Sequence, residues 1–318
     1  MKIKVLNTVD PIYSKVVLNK LGKYCQIKTI LNSRKNALKY SKDSKVIIAG
    51  GRIKIDRELI DSAKNLKLVL SPSTGTDHLD LDILKKKKIK VVHIAKKFGL
   101  INKFTATSEL GFCLLLSIIR RIISSFNDVK KGIWSRDTNV GFQLKDKIIG
   151  IIGLGRLGKI SAKIANGFQM KVVAHDIQKK KVKGVRNVTL NKLFKISDVI
   201  FIHVHLNNST ENMINLKAFK RMKKNTILIN TSRGKIINEK DLLYALKKKL
   251  IAGAGLDVID GEWLERKKLS KHPLIKYSKT SNNLIISAHI GGSTYESIKM
   301  ARDYVFNYLL RSIQTKKI

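Results

Sequence analysis

The chain has 318 residues, 43% of them hydrophobic, with 64 Lys and Arg against 23 Asp and Glu, a formal net charge of +41. The length suffices for two domains with cores of their own, and no apolar run reaches the roughly 20 residues of a membrane-spanning helix. Cys25 and Cys113 are the only cysteines, with no CxxC pair or His cluster, which excludes a disulfide framework and points away from a structural metal and towards a reducing cytosol.

Residues 2–9 read as a strand rather than as a signal peptide, so a cytoplasmic protein is expected. A helix follows over 12–22 and strands over 26–30 and 45–49, the last ending at Gly50 and Gly51. Next come a helix over 56–63, a strand over 66–71, a helix over 80–87 and a strand over 90–93. Strands alternating with helices at this spacing predict a parallel sheet covered on both faces. Residues 105–126 read as one long helix, apolar nearly all round over 109–119, as in a helix buried between larger bodies. From residue 148 the alternation resumes, with about six strands, and residues 291–312 contain a final long helix. The fold class is therefore α/β with doubly wound parallel sheets.

Basic residues are scattered along the whole chain. The runs at 85–88, 179–181 and 247–249 are short and lack interleaved aromatics, so no selected nucleic-acid partner and no membrane partner are expected. Abundant Lys, Asn and Ile together match A/T-rich codons. The charge would still attract anionic small molecules.

The most informative segment is Ile-Ile-Gly-Ile-Ile at 148–152 running into Gly153, Gly155 and Gly158. Gly153 allows a tight turn, Gly155 lets a pyrophosphate approach the backbone, and Gly158 lets the following helix pack on the strand. A strand over 171–175 ends at Asp176, placed to accept both ribose hydroxyls of an adenosine and to repel a 2′-phosphate, which predicts NAD rather than NADP. Ligands of such sheets bind beyond the carboxyl ends of strands. There the sequence supplies Arg233 in Thr231-Ser232-Arg233-Gly234, Asp257 and Glu262, and His289 before Gly291. A histidine can exchange the hydroxyl proton during hydride transfer, a carboxylate can fix its ring, and an arginine can grip a substrate carboxylate with two bonds.

The motifs Gly153-Leu-Gly-Arg-Leu-Gly158, Asn230-Thr-Ser-Arg-Gly234, Gly255-Leu-Asp-Val258 and Ala288-His-Ile-Gly-Gly292 make the chain resemble the D-isomer-specific 2-hydroxyacid dehydrogenases over essentially its whole length. The resemblance implies an NAD-dependent oxidoreductase interconverting a small D-2-hydroxy acid and its 2-keto acid. It implies two Rossmann-like domains with the catalytic cleft between them: a substrate-binding, flavodoxin-like domain of residues 1–100 plus 290–318, and an NAD-binding domain of 101–289. Arg233, Glu262 and His289 become the catalytic set. Cofactor contacts are implied for Gly153, Gly155, Arg156, Leu157, Gly158, Asp176, His203, Thr210, Thr231, Ser232, Asp257 and Gly291. Substrate contacts are implied for Gly50, Gly51, Thr74, Gly75 and Arg233. A homodimer is expected, and no metal.

D-3-phosphoglycerate dehydrogenase is the leading specific activity. A glyoxylate, hydroxypyruvate or other 2-keto acid reductase is the alternative, and a non-enzymatic NAD(H)-sensing protein is the alternative of another class. Four positions depart from the family. His205 stands where Pro is common. Trp263 follows the glutamate in place of Pro. Gly50 and Gly51 occupy sites that carry a basic side chain and Ser in phosphoglycerate-specific members, which leaves Arg52, Lys96 or Lys97 to reach a phosphate.

Overall fold

The computed structural model describes residues 2–10, 15–178, 180–262 and 266–318, apart from the side chains of Lys96, Arg266 and Lys267. The chain divides into two compact units, Met1–Phe104 with Ser293–Ile318, and Thr105–Gly292. Residues 12–14 of the first expected helix, Lys179 and Trp263 lie outside the described residues.

The first unit is built on strands β1 (Ile3–Asn7), β2 (Cys25–Thr29), β3 (Val46–Ile48), β4 (Leu68–Ser71) and β5 (Lys90–His93), all parallel, in the order β2-β1-β3-β4-β5. Between them run α1 (Lys15–Gly22), α2 (Arg34–Ser41), α3 (Arg57–Ser62) and α4 (Leu81–Lys86), with α5 (Phe98–Ile101) after β5. Side chains alternate across a strand. Val46 and Ile48 accordingly enter one apolar cluster while Ile47 enters the other, so the sheet is buried on both faces. Side-chain caps start the helices: Ser33, Asp56 and Asp80 accept from backbone N–H groups of the first turn, a stabilisation of about 1 kcal/mol each. α2 carries little apolar periodicity in the sequence: it is lysine-rich and buries only Ala37 and Ser41.

The second unit opens with α6 (Ala106–Ile119) and α7 (Ile122–Lys130). The single helix expected over 105–126 is thus two. Arg121 takes a left-handed conformation, φ +51°, and the Ile119 carbonyl accepts a 3.0 Å bond from the Phe142 N–H. Gly141 packs so tightly on that carbonyl that a Cβ would stand 2.2 Å from it. The break is therefore made by the incoming 138–142 segment.

The second sheet holds β6 (Ile148–Ile152), β7 (Lys171–His175), β8 (Val185–Asn187), β9 (Val199–Ile202), β10 (Ile227–Asn230), β11 (Gly253–Leu256) and β12 (Leu284–Ile286). Its order is β12-β11-β10-β9-β6-β7-β8, all parallel. That is one strand more than the sequence suggested; short β8, with no buried residue, was missed. The helices are α8 (Arg156–Gly167), α9 (Leu190–Ile196), α10 (Leu216–Phe219), α11 (Glu239–Lys247), α12 (Arg266–Leu269) and α13 (Pro273–Ser278). In β9, Ile200 and Ile202 join one buried cluster and Val199 and Phe201 the other. On the second face α6 lies close: a Cβ on Gly111 would meet the Phe201 ring at 2.9 Å, and the Phe112 and Phe201 rings are 4.9 Å apart.

The last helix, α14 (Tyr295–Gln314), returns to the first unit, where Ala301, Val305, Phe306 and Leu309 complete one of its two cores. No helix among the described residues is long and apolar enough to cross a membrane. Phe306 is fully buried. Phe306→Ala is expected to cost about 3–5 kcal/mol, measured as a fall in the urea midpoint of the first unit; an unchanged midpoint would contradict the packing.

Candidate active site

Each sheet has a point where its strand order reverses, and α/β sheets bind ligands at the carboxyl ends of the strands there. In the second unit that point lies between β6 and β9. Gly153, φ +94°, makes the turn that leaves β6, and a Cβ on it would stand 2.5 Å from the His203 carbonyl at the end of β9. Gly158 sits against the Gly153 carbonyl, 2.1 Å from where its own Cβ would be. Gly155, which caps α8, meets nothing within 4 Å. Two glycines are therefore needed for packing, and the third leaves open space before a helix N-terminus. Such a terminus offers unpaired N–H groups and a positive dipole end.

Arg156 and Leu157 begin α8, and the Leu157 carbonyl accepts from Ser108 Oγ at 3.1 Å. Burial pushes the Arg156 guanidinium below its ordinary pKa. His203 Nε2 pairs with Ser161 Oγ at 2.8 Å. Burial, reinforced by the Arg156 charge, takes the His203 ring down to about 4, so it is neutral at physiological pH. At the end of β7, Asp176 accepts from Leu154 N–H at 2.7 Å and Gln178 N–H at 2.8 Å, and pairs with Lys180 Nζ at 3.1 Å. Burial works against its charge, but these donors outweigh it and hold the carboxyl below its ordinary value. Lys180 belongs to the short basic run at 179–181, which carries no motif for this pairing.

Farther along the sheet, three adjacent strands deliver the polar side chains. After β10, Asn230 shapes the turn: its Oδ1 accepts from Ser232 N–H at 3.0 Å and its Nδ2 donates to the Arg233 carbonyl at 2.9 Å. Arg233 Nη1 donates to the Ser232 carbonyl at 2.7 Å. Gly234 then lies flat under the next loop: a Cβ would stand 2.2 Å from Ile259 C and 2.3 Å from Asp260 N. That contact keeps the segment after β11 beside Arg233.

Asp257, at the end of β11, is 1% exposed. Its Oδ1 accepts from Ser287 Oγ at 2.6 Å and Ile290 N–H at 2.8 Å, and its Oδ2 accepts from Gly291 N–H at 2.7 Å. Its carbonyl takes the His289 N–H at 2.9 Å. These bonds hold the turn after β12, in which His289 has φ +54°. Glu262 Oε1 lies 2.7 Å from His289 Nδ1, with both side chains half-buried.

Arg233, Glu262 and His289 thus come from one sheet edge, and Glu262 and His289 touch. Several of the expected cofactor contacts also make hydrogen bonds within the protein. Both Asp257 oxygens hold the His289 turn, Ser232 Oγ donates to the Ile202 carbonyl at 2.8 Å, and Thr210 Oγ1 donates to the His205 carbonyl at 2.6 Å. Thr231 Oγ1, His203 Nδ1 and Glu262 Oε2 are buried without a hydrogen-bond partner among the described residues. Burying such an atom unpaired costs about 1–3 kcal/mol. In the first unit, Gly50 and Gly51 follow β3 beside the end of β1, where Gly50 N–H donates to Thr8 Oγ1 at 2.8 Å. Thr74 and Gly75 lie in the loop after β4.

Sequence models of D-isomer specific 2-hydroxyacid dehydrogenases match residues 5–97 (catalytic domain) and 112–291 (NAD binding domain). The chain belongs to this family. Its members are NAD-dependent oxidoreductases, and the open turn at Gly155, the acid at Asp176 and the unpaired Thr231 hydroxyl fit that cofactor. Glyoxylate reductase of Thermofilum pendens is 34% identical over 274 residues, covering 83% of this chain and 77% of that protein. D-3-phosphoglycerate dehydrogenase of Archaeoglobus fulgidus is 31% identical over 93% of this chain but only 54% of its own length. Among solved structures, D-lactate dehydrogenase of Aquifex aeolicus, complexed with NAD and lactic acid, superposes with a TM-score of 0.86 at 28% identity, covering 98% of this chain and 96% of that one.

The contrast between the glycines is testable. Gly155→Val is expected to leave the melting temperature unchanged and abolish measurable NADH binding, whereas Gly158→Val should unfold the second unit. NADH fluorescence titration beside thermal unfolding reads both, and tight binding by the Gly155 variant would contradict the assignment.

Proposed function

We propose that the protein reduces a small 2-keto acid of the glyoxylate or hydroxypyruvate type to the 2-hydroxy acid. The observation that carries this reading is the 2.7 Å contact between His289 and Glu262. In this reading Glu262 holds the ring at Nδ1 and proton transfer falls to Nε2. NADH, when bound, supplies the hydride to the carbonyl carbon. His289 gives a proton to the carbonyl oxygen, Glu262 orients the ring and balances its charge, and the Arg233 guanidinium holds the substrate carboxylate by a two-pronged contact. Gly153, Gly155, Gly158 and Arg156 would cradle the pyrophosphate, and Asp176 would take the adenosine ribose.

The glyoxylate reductase relative supports a small substrate. Arg52 Nη1 donates to Asn32 Oδ1 at 3.2 Å and Lys97 Nζ lies 5.8 Å from the centre of the Tyr304 ring, while the Lys96 side chain is outside the described residues. NADH oxidation should therefore be fastest with glyoxylate or hydroxypyruvate in a panel that includes pyruvate and 3-phosphohydroxypyruvate. Fastest turnover of the phosphorylated acid would replace this reading with phosphoglycerate oxidoreduction. NADH binding with no turnover of any acid would favour a sensing role. His289→Ala should lower kcat by about 10²–10⁴ with NADH affinity unchanged; near-normal turnover would refute the proton-transfer role.

We also propose a homodimer through α7. No residue of that helix is buried. It exposes Ile122, Ile123, Phe126 and Val129, and the loop beyond adds Ile133 and Trp134, the latter 90% exposed. An apolar surface of this extent on a soluble chain marks a protein interface, and a self-complementary two-fold contact is its commonest form. Phe126→Glu is expected to convert a dimer to a monomer in sedimentation velocity. A wild-type protein that sediments as a monomer would exclude the dimer.

A further inference from the structure

Outside the residues assigned above, one cluster of titratable groups is largely buried and reaches the loop that carries Glu262. Glu239 is the first residue of α11, and His272 immediately precedes α13. His272 Nε2 lies 3.1 Å from Glu239 Oε2, and the two side chains are 11% and 16% exposed. Both also grip a single residue of the intervening loop. The Asp260 N–H donates to Glu239 Oε1 at 2.7 Å, and the Asp260 carbonyl pairs with His272 Nε2 at 3.2 Å. The same stretch rests on Gly234, whose missing Cβ leaves room for Ile259 C and Asp260 N. Two residues later Glu262 meets His289.

We propose that Glu239 and His272 are positioning residues for the reaction: they clamp the backbone of Asp260 from both sides and so set where the Glu262 carboxylate stands against the His289 ring. The proposal rests on the reading of Glu262 and His289 as the proton-transfer pair.

The physical case is one of leverage. A loop leaving β11 has no sheet partner to fix it, and its course is set by what holds its backbone. Gly234 supplies a floor without a directional bond. Glu239 and His272 supply two directional bonds to one residue, and the carboxylate makes one of them charge-assisted. Burial pushes the Glu239 carboxyl above its ordinary value, against the Asp260 N–H and the His272 ring, which favour its charge. The anion also lies at the first turn of α11, where the helix dipole favours it. Glu262 and His289 are in direct contact at 2.7 Å, and a misplacement of about 1 Å in a reacting geometry can cost on the order of a hundredfold in rate. Cluster and catalytic pair are therefore linked through two residues of backbone.

The test is a double-substitution cycle on the full chain, with NADH and glyoxylate as the probes. Glu239→Leu is expected to lower kcat by about tenfold to a hundredfold, with the NADH dissociation constant and the substrate KM each within about twofold of wild type. Glu239→Gln, which keeps an acceptor for the Asp260 N–H, should recover most of the loss. In a Glu262→Gln background, itself slow, Glu239→Leu should have little further effect, because its action passes through Glu262. His272→Leu approaches the clamp from its other side and should behave in the same way, which keeps the test decisive if one variant folds poorly. Equal losses in both backgrounds, or wild-type kcat in folded Glu239→Leu and His272→Leu, would overturn the clamp while leaving the proton-transfer pair standing. Full turnover by Glu262→Gln would overturn that pair and the clamp with it.

Discussion

The buried carboxylate of Asp257 is the constraint on which the rest of the candidate site depends. A charge removed from water is tolerated only when its lone pairs are met by donors, and here a hydroxyl and two backbone N–H groups, all from residues 287–291, meet them. Those bonds fasten the end of β11 to the turn after β12. The turn must also accept a non-glycine residue at φ +54°, a conformation that costs roughly 1–2 kcal/mol. The carboxylate and the His289 N–H bond to the Asp257 carbonyl supply that cost and fix the direction from which the imidazole projects. The loop carrying Glu262 departs from the same residue, so both partners of the 2.7 Å contact are referenced to one point in the sheet.

Much of this was legible in the sequence because buried parallel strands read as continuous apolar runs and glycines punctuate their ends. The run at 148–152, the three glycines after it, and the polar residues following β10, β11 and β12 marked the sheet edge where the side chains gather. Short amphipathic pieces were harder to see. α2 and α9 are brief and lysine-bearing, and β8 pairs only at the sheet's edge. The break at Arg121 had no local signal, since neither Gly nor Pro stands there; a distant segment, 138–142, makes it.

Side-chain roles inside the site were less legible than side-chain identities. Asp257, Ser232 and Thr210 stand where ligand contacts are expected, and each is also bonded into the scaffold. A sequence names the polar atom but not its nearest donor. Glu239 and His272 carried no motif at all. Their connection to Asp260 spans 21 and 12 residues respectively and exists only because α11 and α13 converge on one loop. Asn230 was part of a recognised motif, but its work in shaping the Arg233 turn follows from distances alone.

The chain leaves the first unit at Phe104 and comes back to it only at Ser293. Four side chains of α14 belong to a core whose other members lie among the first hundred or so residues. On the ribosome, the early strands must therefore wait through the whole of residues 105–292 before that core can close. At 5–20 residues per second the wait is roughly 10–40 s, while the uninterrupted second unit can fold as it emerges. The unit begun before residue 105 is thus completed after the one begun later, and through that interval its unfilled apolar face is the surface a chaperone would meet.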